Sequence, residues 1–128
     1  MIKMICIDNY RYALMSDALS KIGFSVDRKN LKLVSQLEIC KIVPVIDHCF
    51  INGFFYWGNN PTLRWATNNT KTIRYGRDAG ADKGSFVYAK IEARSRKTDP
   101  FMALVASMTA EGEIKEYIPL TGKCVLVM

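Results

Sequence analysis

Two aspartates, one near each end of the chain, are the residues best suited to chemistry. Asp8 follows the apolar run Met4-Ile5-Cys6-Ile7, and Asp99 opens the run Pro100 to Met108, which has helical periodicity. An acid at the C-terminal tip of a buried strand and another at the first turn of a buried helix form the kind of pair that holds a hard divalent cation through oxygen ligands. Two such cations about 3.5–4 Å apart can clamp the attacking and leaving oxygens of a phosphodiester. Lys97 and Arg96, just ahead of Asp99, are placed to neutralise a phosphate. Each acid also has a purely local reading. Asp8 can cap the helix that follows it, and Asp99 before Pro100 can be a plain N-cap; local sequence alone favours capping for both.

The elements that must position these acids follow from patterning. Residues 4–7 read as a short buried strand. Asn9 then caps a helix from Tyr10 to Ile22, with Leu14, Ala18 and Ile22 on one stripe widened by Met15 and Leu19, and Gly23 stopping it. Leu31 to Val34 is a second strand, and the crossover length predicts a parallel pair. Ser35-Gln36-Leu37-Glu38 has the form of a capping box. The helix it starts has an apolar face of Leu37, Ile42, Val45, Ile46 and Phe50, with a kink or break at Pro44.

Gly53 to Trp57 reads as a third strand with its aromatics in the core, and Asn60-Pro61 as the start of a third helix, on which Arg64 and Trp65 pack. Thr70–Tyr75 and Ser85–Ile91 form the arms of a β-hairpin, whose nine-residue loop from Gly76 to Gly84 predicts a mobile tip. In the last helix Phe101, Leu104, Val105 and Met108 follow i, i+3, i+4, i+7 spacing, and Gly112 ends it. Two apolar runs in the tail, Tyr117 to Leu120 and Val125 to Val127, are candidate edge strands.

Composition bounds the function classes. A chain of 128 residues, 49% hydrophobic, is one folded domain able to bury about two-thirds of its unfolded surface. No apolar stretch approaches the roughly 18–20 residues of a membrane span, and the N-terminus lacks a signal-peptide core, so a cytoplasmic protein is expected. Four scattered cysteines and the lone His48 argue against structural zinc. The thiols are expected as buried hydrophobes and the histidine as a half-buried, hydrogen-bonded residue. Eighteen basic against twelve acidic residues give +6. The excess clusters at Lys71, Arg74 and Arg77, then Lys90, Arg94, Arg96 and Lys97, which is either a nucleic-acid footprint or a solvated basic face.

Taken together, residues 4 to 111 resemble the C-terminal part of the nuclease domain of phage large terminase subunits. Four segments carry the resemblance, in the family's order. They are Ile7-Asp8-Asn9-Tyr10-Arg11, like the family's strand aspartate followed by an aromatic and an arginine; Trp57 to Trp65, similar to its G-x-N/D-P-x-x-R-W segment; Asn68-Asn69 ahead of the hairpin; and Arg96-Lys97-Thr98-Asp99 to Ala103, like its closing K-x-D-x-x-x-A helix.

The resemblance implies an RNase H-like α/β fold with a β-hairpin insertion and a two-metal carboxylate site that cuts viral DNA during packaging. Asp8 and Asp99 would be catalytic ligands of Mg²⁺ or Mn²⁺, and Lys97 would lie beside the metals. Arg74, Arg77, Lys90, Arg94 and Arg96 would meet double-stranded DNA, with Asn69 and Arg64 in support. The setting would be the cytoplasm of a phage-infected or prophage-carrying bacterium. The family's first catalytic aspartate and its ATPase domain have no counterpart here. Residues 1–113 therefore resemble a nuclease domain truncated at its N-terminus, and 114–128 a tail without counterpart. Missing strands would expose a sheet edge and an apolar face, which predicts self-association or a complementing terminase chain. The alternatives are a non-catalytic basic DNA-binding or packaging-assembly module, and a phage accessory or anti-defence protein, for which no residue pattern speaks.

Overall fold

The computed structural model describes residues 2–76, 85–113 and the strand pair 124–125. Within them the chain is a small mixed α/β domain with four α-helices and short strands. Strand β1 (Ile5–Asp8) and strand β2 (Leu31–Val34) pair in parallel, with Ile5 opposite Leu31 and Asp8 opposite Val34. Helix α1 (Tyr12–Lys21) makes the crossover, preceded by a 3-10 turn at Asn9–Arg11. Of the two caps the sequence offers here, Asp8 and Asn9, it is Asp8 that accepts the Tyr10 N–H, at 2.9 Å.

Helix α1 ends where its sequence says it should. Gly23 lies at φ 95°, where its N–H donates to Ser20 O and Phe24 N–H donates to Leu19 O, the paired bonds of a Schellman cap. The burial of α1 differs from expectation. Of its apolar stripe only Leu19 is buried, while Leu14 is 78% and Ile22 67% exposed. A two-stranded β1–β2 ribbon is too narrow to cover a whole helix face, so the stripe lies open.

Helix α2 (Gln36–Ile51) begins with the capping box read from sequence: the Ser35 side chain accepts the Glu38 N–H, and the Glu38 carboxylate accepts the Ser35 N–H. The helix runs on through Pro44 without a break. Proline in a helix interior costs about 3 kcal/mol or more. Burial of Val43 and Ile46 on the same helix returns about 1.5–3 kcal/mol each, so packing holds the helix together. Its buried face is Ile39, Val43, Ile46 and Cys49. The expected Leu37, Val45 and Phe50 stand exposed, so the true stripe is rotated from the one expected, with Ile46 in common.

A second Schellman cap closes α2 at Gly53, with Phe54 N–H donating to Cys49 O at 2.8 Å. Gly53 therefore belongs to a helix end, and the third strand shortens to β3 (Phe55–Tyr56). Phe54, Phe55 and Trp57 pack on the core, whereas Tyr56 is exposed. Helix α3 (Pro61–Asn68) starts as expected, the Asn60 side chain accepting the Leu63 N–H at 3.0 Å. Trp65 on it is half-exposed instead of packed.

Strands β4 (Thr70–Arg74) and β5 (Phe86–Lys90) form the antiparallel hairpin, with Thr70 opposite Lys90. Its loop tip at 77–84, including Arg77, lies outside the described residues. Helix α4 (Asp99–Met108) buries Phe101, Leu104, Val105 and Met108, the four positions its spacing marked. It ends at Thr109, before Gly112, and a 3-10 turn at Glu111–Glu113 follows. Strand β6 (Cys124–Val125) pairs in parallel with β3 and overlaps the expected run Val125 to Val127 at Val125. The run 117–120 lies outside the described residues.

The core is the seam between α2 and α4, closed by Val34, Ala66 and Val87. Among the described residues the strands pair as three separate two-stranded ribbons: β1–β2, β3–β6 and β4–β5. No helix among them is long and apolar enough to cross a membrane. Cys49 is buried as expected, but Cys6 and Cys40 are only half-buried, and all three are free thiols. His48 is exposed instead of half-buried, with a ring nitrogen 3.2 Å from Asn52 Nδ2 and its ring edge-on to Phe54.

A candidate carboxylate cleft

Parallel strands deliver their C-terminal ends to one side of a sheet, where ligands commonly bind. Here Asp8 ends β1 opposite Val34, and the next residue after Val34 is Ser35, the cap of α2. Packing of α4 against β1 brings Asp99 to the same place. A cleft of about 780 Å³ results, lined by Asp8, Asp99, Arg11, Cys6, Ser35 and Gln36 among others. The sequence-predicted acids from opposite ends of the chain thus share one cavity.

The two acids are held differently. One oxygen of Asp8 is committed to the Tyr10 N–H, so its capping role is real, and the cap fixes the carboxylate at the cleft mouth. Asp99 is not an N-cap: Thr98 occupies that position, and Asp99 is the first helical residue. Its carboxylate is exposed and makes no hydrogen bond or ion pair among the described residues. The positive ends of α2 and α4 both open on the cleft, an arrangement that favours anionic groups.

Asn69 sets where Asp99 begins. It is buried, its Nδ2 donates to Lys97 O at 3.3 Å, and its own carbonyl accepts the Ile91 N–H at 2.8 Å. One residue therefore ties the end of α3 to the segment leaving the hairpin through its backbone, and to the linker before α4 through its side chain. Arg64, the other expected supporting residue, donates to Asn59 Oδ1 at 2.6 Å on an exposed surface and does not line the cleft.

The described basic residues of the hairpin and linker lie outside the lining of this cleft. Lys97 is exposed and does not line the cleft; its backbone carbonyl, not its ammonium, joins the support of α4. Arg74, Lys90, Arg94 and Arg96 do not line it either, and Arg96 forms an exposed ion pair with Glu92 at 3.7 Å. The hairpin packs on α2, and β1 packs on α4.

Sequence reasoning passed over Arg11 and Cys6 as individual members of the site. Strand alternation carries the signal for Cys6, which shares a face with Asp8 two residues on. Burial pushes the Cys6 thiol above its ordinary range, outweighing the nearby Lys32 ammonium, so the group is a neutral thiol at pH 7. Among the described residues, no third His, Cys, Asp or Glu is grouped with the acids so as to hold a metal.

Comparison of the chain with family models, with curated proteins and with solved structures gives no match.

Proposed function

We propose that this chain is the metal-binding portion of a terminase-type DNA endonuclease with an RNase H-like arrangement, and that Asp8 and Asp99 hold a Mg²⁺ or Mn²⁺ ion. The observation that carries the reading is that these two acids line one cleft at the carboxyl end of a parallel strand pair. The order of the four terminase-like segments supports the choice of family.

The donor set fits one hydrated ion. Two carboxylates supply part of the octahedral oxygen shell of Mg²⁺, which ordinarily keeps several waters. A pair of ions needs further acidic oxygens than these two residues offer. When bound, such an ion would polarise a phosphodiester and lower the pKa of its water. The chain's own contribution is to fix Asp8 through the Tyr10 cap and Asp99 through Asn69 and the linker.

Titration with Mn²⁺ tests this directly. Wild-type protein is expected to bind the ion weakly, and Asp8→Asn or Asp99→Ala to abolish binding. Unchanged Mn²⁺ affinity in both variants would refute the reading.

A second reading is a basic DNA-binding or packaging module without catalysis, favoured by the excess of eighteen basic over twelve acidic residues. Supercoiled plasmid incubated with Mn²⁺ separates the two: nicking that Asp99→Ala removes supports the nuclease. Salt-sensitive binding without nicking supports the module.

A further inference from the structure

We infer that Arg11 is the phosphate-binding residue of the carboxylate cleft, the role that the position of Lys97 in the sequence suggested for the lysine. This rests on the reading of the cleft as a DNA site. A phosphodiester approaching Asp8 and Asp99 meets two like charges, and a cation must offset them whenever the metal is not fully neutralising. Arg11 lines the same cleft as both acids, whereas Lys97, Arg94 and Arg96 do not.

The placement of Arg11 is fixed by the chain. It is the last residue of the 3-10 turn whose first N–H bonds are organised by Asp8, so the acid and the arginine are held by one local device. Its guanidinium lies over the Tyr10 ring, 5.9 Å from the centroid. Although it borders a cavity with two acids, Arg11 forms no ion pair among the described residues. Asp99 likewise has none. A guanidinium and a carboxylate that share a cavity without pairing leave the fork of N–H donors available to a bidentate acceptor, and phosphate matches that fork. The opening of α2 and α4 onto the same space adds donors of the same sign.

The test uses metal-free conditions, so that its readout is independent of catalysis. Binding of a fluorescent DNA duplex is measured by anisotropy in EDTA over a series of salt concentrations. Arg11→Gln is expected to weaken binding several-fold at low salt and to reduce the slope of log K against log salt by about 1. Arg11→Lys should keep the slope. Asp99→Asn should tighten metal-free binding, because it removes a like charge beside the phosphate. Arg11 is exposed and without a structural partner beyond Tyr10, so the variants should melt with wild type. Unaltered affinity and slope in Arg11→Gln, with wild type still binding, overturns this assignment and leaves the metal reading standing. Loss of Mn²⁺ binding to the acids, with DNA binding intact, would instead overturn the metal reading alone. A wild-type protein that shows no salt-dependent DNA binding overturns both the DNA substrate and the role of Arg11.

Discussion

The Nδ2 of Asn69 donates to the carbonyl of Lys97 at 3.3 Å, and through this bond the end of α3 sets the start of α4 two residues before Asp99. The side chain is buried, and its backbone also holds Ile91. Removing it leaves a backbone acceptor without its donor and opens a small cavity. Asn69→Ala is expected to cost about 1–3 kcal/mol. Urea denaturation checks this through a lower midpoint at constant m-value. Mn²⁺ affinity should fall with it, since the acid it positions loses its register; full affinity would show that α4 starts correctly without the bond.

Asp8 has a dual role, as cap and as proposed ligand, and substitutions separate the two. Asp8→Ala removes both, and the lost cap is expected to cost about 0.5–2 kcal/mol. Asp8→Asn keeps an oxygen for the Tyr10 N–H and loses only the charge, so its stability should stay close to wild type while metal binding disappears. Thermal melts of the two variants beside Mn²⁺ titrations decide it. Equal destabilisation by Asn and Ala would show that the capping bond depends on the charge.

Local devices were legible in the sequence, and tertiary ones were not. The Ser35–Glu38 capping box, the Gly23 stop and the Asn60-Pro61 start all depend on residues within one turn, and each is present. The α4 core face was legible because both sides of that helix meet other elements. Helix α1 has the same periodicity, yet Leu14 and Ile22 stay exposed, because periodicity marks a face that can be buried and does not show whether anything covers it. Gly53 fits a strand start as well as a helix cap until the Cys49 carbonyl is seen to accept the Phe54 N–H. Pro44 does not break the helix for the same reason: its local cost was visible, and the burial of Val43 and Ile46 was not. Asp8 and Asp99, singled out in the sequence, line one cleft, and Arg11, which lines it with them, was not singled out. Lys97 is near Asp99 in sequence but outside that lining.

The open stripe on α1 predicts behaviour in solution. Leu14 and Ile22, with Met15 beside them, form an exposed apolar face next to a ribbon that is two-stranded among the described residues. Concentration-dependent association is expected in sedimentation velocity, and Leu14→Glu should reduce it without loss of stability, since that side chain is 78% exposed. A stable monomer at high concentration would count against the idea.

Tyr88 offers a test with the opposite sign from most core substitutions. Its Oη is buried without a hydrogen-bond partner among the described residues, while its ring packs edge-on to Phe101 at 5.0 Å. Burial, helped by the nearby Asp47 carboxylate, drives its pKa well above the ordinary tyrosine range. An unsatisfied buried hydroxyl costs free energy, so Tyr88→Phe should be neutral or stabilising by up to about 1 kcal/mol. A clear loss of stability would reveal a water bound to the hydroxyl.

Lys32 sets the pH window of stability. Its ammonium bonds the Thr109 carbonyl at 2.8 Å, pairs with Glu38 at 3.2 Å, and also bonds Glu113. Burial alone favours the neutral amine, but the bonds to Glu113 and Glu38 outweigh it and hold the Lys32 pKa above its ordinary 10.5. This contribution is fully present below that value and is lost as pH rises through the raised one. For Glu38 burial also favours the neutral form, and the Ser35 N–H and Lys32 outweigh it, so its pKa falls below the ordinary 4.5. That contribution is present above 4.5 and is lost as pH falls through the lowered value. Tyr88 adds to the alkaline loss, because above its ordinary 10.0 the phenol ionises freely in the unfolded chain while burial opposes its ionisation in the fold. Melting temperature should therefore be flat between about pH 4.5 and pH 9, above which ionisation of the Cys6 thiol in the unfolded chain already favours unfolding, and decline on both sides. Lys32→Met should lower the plateau and shrink both limbs, whereas Tyr88→Phe should shrink the alkaline limb alone. An acid limb in Lys32→Met as steep as in wild type would assign it to carboxylates other than Glu38.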